Sequence, residues 1–142
     1  MKTFLLSTLV IIFISFTSCS SDDDAPSGPI VPSAVYATWN MSFFQEDGNL
    51  VTEVPCDLDI EYTFNSNGTY SKTLFTDSNN GENCEISVSF NGNWEAIEDN
   101  VIELTPSSQS FEQEVLNLRL INNNNQLEIE RSATLLEVYD KN

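Results

Sequence analysis

From residue 35 onward, apolar and polar residues alternate with a period of two, the pattern of strands whose two faces meet different surroundings. The clearest run is 57–64. Leu58, Ile60, Tyr62 and Phe64 fall on one face, and Asp57, Asp59, Glu61 and Thr63 on the other, as in an antiparallel sheet with one buried and one wet face. Asn65-Ser66-Asn67-Gly68 then supplies a hairpin turn, since Asn-Gly tolerates positive φ. Further strands are predicted over 69–76, 84–97 (84–90 continuing past Gly92 into 94–97), 101–105, 114–121, 126–131 and 134–140. On these, Ile86, Val88 and Phe90, then Leu116, Leu118 and Leu120, then Leu127 and Ile129, then Leu136 and Val138 form the apolar faces. Gly92 marks a bulge or bend between the fourth run and Trp94.

With a first strand over 36–44 the pattern gives eight short strands joined by polar turns, and no long helical period. Successive hairpins imply an up-and-down meander. Eight strands can close into a barrel, which removes exposed edges. An immunoglobulin-type sandwich is the main rival, but it expects a Trp between its paired cysteines. Here Trp39 precedes Cys56 and Trp94 follows Cys84.

The first residues break the pattern. Met1-Lys2-Thr3 precedes an apolar run from Phe4 to Phe16, and Thr17-Ser18-Cys19 follows. A short basic start, an apolar stretch and small residues before the cut define a signal peptide, and the run is short for a transmembrane helix. The cysteine at the cut resembles the lipobox of bacterial lipoproteins, with Phe16 where that motif usually has Leu. The resemblance implies a signal peptide at 1–18 and a lipid-modified Cys19 as the first mature residue. Ser20-Ser21-Asp22-Asp23-Asp24 resembles the acidic export signal of Bacteroidota lipoproteins, which implies an outer-membrane anchor facing the cell exterior. Pro26, Gly28, Pro29 and Pro32 make the rest of 19–33 a linker, leaving 34–142 as the domain.

Composition narrows the partners. The 142-residue chain carries a net charge of −17. Nucleic acid is therefore a poor partner, because phosphate binding needs Lys and Arg, whereas a basic protein is compatible. There is no histidine, so Ser-His-Asp and Cys-His arrangements are excluded, along with the commonest metal ligand. No phosphate loop or dinucleotide fingerprint appears. The sequence thus points to no catalytic residues, no metal and no cofactor. Cys56 and Cys84 lie in an exported domain, which favours a disulfide over a metal site; two free thiols are the alternative. With one strand between their own, strand spacing alone puts them roughly 10 Å apart. A bond therefore requires at least one of them to leave the ladder and bend inward. Pro55 and the polar residues Ser78-Asn79-Asn80-Gly81 allow such a bend.

Several stretches then recur in one order: Ala37-Thr38-Trp39-Asn40, the segment from Tyr62 to Tyr70 with its Asn67-Gly68, Gly92-Asn93-Trp94-Glu95, and Asn100-Val101-Ile102-Glu103-Leu104. Leu118-Arg119-Leu120 and Leu127-Glu128-Ile129 follow. Together they resemble the lipocalin-like domain of Bacteroidota lipoproteins over 33–142. The resemblance implies an eight-stranded barrel closed near the first-strand Trp. Two features depart from lipocalins proper: Ala37-Thr38-Trp39 replaces Gly-x-Trp, and no short helix accompanies the last strand. Trp39 either plugs the base, covered by Arg131 through a cation–π contact, or is simply core.

Such a barrel can hold one small ligand or fill its interior with side chains. The inward set expected from alternation is bulky: Trp39, Met41, Phe43, Tyr62, Phe64, Phe90 and Trp94. It predicts a mostly filled interior and a small ligand, apolar or amphipathic, with Trp39, Tyr62, Phe64, Phe90 and Trp94 as candidate contacts. The alternative is a protein-binding or structural surface module with a filled barrel, for example an inhibitor of a basic enzyme.

Overall fold

The computed structural model describes residues 28–78 and 83–142. Signal segment 1–18, Cys19, the acidic run Asp22–Asp24 and residues 79–81 of the expected bend lie outside them. Nine strands form one antiparallel sheet: β1 (Thr38–Glu46), β2 (Asn49–Val51), β3 (Ile60–Phe64), β4 (Thr69–Asp77), β5 (Cys84–Glu98), β6 (Val101–Pro106), β7 (Glu114–Ile121), β8 (Gln126–Ser132) and β9 (Leu135–Lys141). From β3 to β9 each strand pairs with the next, and β9 returns to β1. Eight strands thus close an up-and-down barrel, as the alternation predicts, with only short 3-10 turns besides strands among the described residues.

The ninth strand, β2, is missed by the sequence reading. It folds back on the end of β1 through Asp47 and Gly48, with φ of 49° and 82°, the geometry that an Asp-Gly pair favours in a two-residue hairpin. β1 pairs with β3 only over Thr38–Asn40, and beyond that its edge is taken by β2 from Phe44 to Glu46. The wall between β1 and β3 therefore opens toward one end of the barrel.

On β1 and β9 the inward positions differ from those expected because of local irregularities. The β1–β9 register slips between Met41 and Phe43. Phe44 then pairs with inward Glu137 and is buried, while Phe43 pairs with Val138 on the opposite face and is half-buried. On β9, Glu137 and Tyr139 lie opposite the core residues Ile129 and Leu127, so alternation puts Leu136 and Val138 on the other face, where Val138 is nonetheless buried. Gly92 marks no bulge: β5 pairs through it without a shift on both sides. A Cβ there would stand 2.2 Å from the Thr105 carbonyl oxygen and 2.7 Å from the Tyr70 ring. Gly92 is the gap into which Tyr70 packs.

The closed end is solid. Trp39, Val35, Phe64, Tyr70, Leu104, Leu116, Leu127 and Ile129 are buried together there and in the barrel's middle. Trp39 donates its indole N–H to the Val35 carbonyl at 2.8 Å. The cation over its ring is Lys141, with Nζ 5.5 Å from the centroid; Arg131, expected in that place, lies over Tyr62 instead. The chain enters at this same end. The Ile30 amide donates to Asp99 and its carbonyl accepts from Asn100, and Val31 packs on the core.

Candidate functional site

Along the inner wall, polarity changes between the closed and open ends. Above the aromatic floor sits a layer of ionised side chains, one from each of four strands. Lys72 of β4 donates to Glu114 of β7 at 2.5 Å. Arg131 of β8 donates to the other Glu114 oxygen at 2.8 Å and to Glu137 of β9 at 2.8 Å. Tyr62 completes the layer: its hydroxyl accepts from Arg131 at 2.6 Å and lies 3.3 Å from Glu114. The Tyr139 hydroxyl donates to Glu137 at 2.7 Å. Two cations thus meet two carboxylates, and no buried side-chain nitrogen or oxygen among the described residues lacks a partner.

The layer's protonation states follow from this geometry. Burial alone would raise the Glu114 carboxyl, but hydrogen bonds and charge from Lys72 and then Arg131 outweigh it and hold it below the usual carboxylate range. Burial pushes the Tyr62 and Tyr139 phenols well above theirs, so both remain neutral donors. The layer is a fixed, internally neutral platform.

Above it the barrel opens. A cavity of about 200 Å³ lies where β1 parts from β3. Its apolar wall is Met41, Phe44, Leu58, Ile60, Leu74 and Leu135, and its acidic residues are Glu46, Asp57 and Glu137. Leu58 and Asp57 arrive on a 3-10 turn, Cys56–Leu58, not on the strand expected from alternation. That turn is bonded to the start of β5 by the Cys56–Cys84 disulfide, with Cα atoms 5.2 Å apart. Cys56 stands outside the ladder while Cys84 pairs within it opposite Asp77, which resolves the spacing problem posed by the intervening strand. Nearby, the loop after β6 lays Phe111 against Phe90, with centroids 3.8 Å apart.

The five aromatic residues expected to contact a ligand lie elsewhere. Trp39, Tyr62 and Phe64 are fully buried, while Phe90 and Trp94 are half-buried against the same core. None lines the mouth cavity. Among the described residues, no group of three or more Cys, Asp or Glu side chains converges as metal ligands would.

Known proteins share this architecture. The crystal structure of a lipocalin-like protein from Bacteroides uniformis superposes with a TM-score of 0.53, covering 77% of this chain and 99% of that one at 13% identity. That of an uncharacterized protein from Bacteroides eggerthii gives 0.50, covering 75% and 98% at 14% identity. At such identities the likeness is one of fold. No curated protein sequence matches the chain. The sequence model of the lipocalin-like domain matches residues 35–129, from the Val35 that seats Trp39 to the Ile129 of the core. Closure of the eight strands, the buried first-strand Trp at one end and this match together place the chain in the lipocalin-like domain family.

Proposed function

We propose that this protein is a lipid-anchored outer-membrane lipoprotein, exposed on the cell surface, whose barrel mouth binds one small apolar or amphipathic ligand without catalysing a reaction on it. The observation that carries the binding role is the cavity of about 200 Å³ at the open end, with six apolar side chains in its wall. Such a space is below the usual size of drug-binding pockets and suits a short hydrocarbon body. The anchor rests on the apolar run ending at Cys19 and on the acidic residues after it. The direction of chain entry supports the pairing of anchor and mouth. Ile30 is held at the closed end by Asp99 and Asn100, so the chain joins the barrel at the end opposite the mouth, which suits a mouth turned away from the bilayer.

A protein-binding role is the second reading. It is favoured by Leu50 and Ile86, 61% and 64% exposed at the open end.

Native mass spectrometry of the exported protein separates the two. The ligand reading predicts a small molecule released on unfolding, and loss of that mass when Leu74→Trp fills the cavity. Ligand-free spectra with a co-purifying basic protein would favour the second reading. In parallel, Cys19→Ala is expected to move the protein from the membrane to the soluble fraction, because stable anchoring needs the acyl chains. Unchanged membrane association would contradict the anchor.

A further inference from the structure

We infer that the ligand is an amphipathic cation, an ammonium group on a short hydrocarbon body, with its charge among Glu46, Asp57 and Glu137. The inference rests on reading the mouth as a ligand site and adds the sign of the ligand's charge.

The first observation is the lining itself: every charged residue in it is acidic. The second is where the bases are. Four lie among the described residues, and each is engaged away from the cavity's free carboxylates. Lys72 is held by Glu114, and Arg131 by Glu114 and Glu137. Arg119 pairs with Glu128 on the outer wall. Lys141 sits at the opposite end, over Trp39 and donating to the Ala34 carbonyl. Glu46 and Asp57 consequently have no side-chain hydrogen bond or ion pair among the described residues.

The third observation is Glu137. It is only 8% exposed, and both hydrogen bonds it accepts, from Arg131 and Tyr139, go to Oε2. Oε1 accepts none among the described residues, yet no fully buried oxygen is left without a partner. That oxygen therefore reaches the cavity. It offers an acceptor at the bottom of an apolar space, beneath two free carboxylates at its rim.

Charge and polarity then decide the class of ligand. An anion would meet the two unpaired carboxylates of Glu46 and Asp57 at the rim and find no free base, since Arg131 is already held by Glu114 and Glu137. A neutral chain would gain from apolar burial but leave the Glu137 oxygen desolvated and unpaired. An ammonium group supplies both the donor and the countercharge, and the Phe44 ring in the wall favours a cation as well. The net charge of −17 attracts cations to the surface before they reach the mouth.

Calorimetric titration of the full chain with three probes of equal chain length, octylammonium, 1-octanol and octanoate, tests this. Octylammonium is expected to bind about tenfold more tightly than octanol, with octanoate weakest. The double variant Glu46→Gln, Asp57→Asn should shrink that preference several-fold and leave octanol binding unchanged. Octanol binding as tightly as octylammonium overturns the inference while leaving the mouth a ligand site, as does a preference that survives intact in the double variant. If none of the three binds, the reading of the mouth as a ligand site falls with it.

Discussion

Reducing the Cys56–Cys84 disulfide is expected to cost the folded domain about 3–4 kcal/mol, the loss of chain-entropy restraint for a loop of this size. The two residues are 28 positions apart, and the bond spans β3, its hairpin and β4. A typical domain has only about 5–15 kcal/mol in all, so the effect is large. It is also local to the mouth. Cys56 opens the 3-10 turn that carries Asp57 and Leu58 into the cavity wall. Once reduced, that turn keeps its contacts with β4 but loses its covalent tie to β5. Denaturant melts with and without reductant measure the cost, and Cys56→Ser, Cys84→Ser should match the reduced protein. Equal midpoints in the oxidised and reduced states would contradict the account. Octanol binding should weaken on reduction even under conditions where the barrel stays folded, because a wall of the cavity is then free to move.

Replacing Glu114 by Leu is expected to destabilise the barrel by about 3 kcal/mol, because breaking a buried pair strands its partners. Glu114 is the shared acceptor of Lys72 and Arg131. Without it Arg131 retains Glu137, but Lys72, with only 10% of its side chain exposed, retains no carboxylate. Glu114 itself is a quarter exposed, which keeps the cost below the top of the range for such pairs. Adding Lys72→Met to Glu114→Leu should recover part of the loss, since the stranded charge is then gone. The pH dependence has a defined sign. The folded carboxyl titrates below its unfolded value of about 4.3. Its stabilisation is therefore complete above that value and is lost as pH falls through the lower folded one. Stabilities of the wild type and Glu114→Leu should converge on acidification in urea melts. A constant gap between them down to the acid limit would contradict this role.

The same layer explains where sequence reading succeeds and where it stops. The strands, their order and the barrel follow from alternation and turn residues, because most inward positions are apolar. Ile102, Leu104, Leu116, Leu118, Leu127 and Ile129 are all buried as that rule requires. Inward charges break the rule. Nothing in the sequence marks Lys72, Glu114, Arg131 and Glu137 as one inward layer, since a period-two pattern carries no record of which charges pair across a barrel. Glu137 in particular turns the apparent face of β9 around. Cation–π pairing was legible as a type of contact, but its partners were not: Lys141, at the chain's end, takes the place over Trp39. The mouth was hidden for a different reason. Its wall is assembled where the β1–β3 pairing ends, from a slipped register, a 3-10 turn and a short added strand. Each of these is an interruption of the periodicity that located the rest. The Asp47-Gly48 pair was the one local signal that could have revealed β2.

Methyl NMR during titration with 1-octanol tests the central claim, that the open end of this barrel is its binding site. The account predicts that the methyl signals of Met41, Ile60, Leu74 and Leu135, which line the cavity, shift together with one saturation curve. Those of Leu116, Leu127 and Ile129, buried in the filled part of the interior, should stay in place. Shifts confined to the filled core or to outer-wall residues such as Leu136, or a spectrum unchanged at saturating octanol, would contradict it.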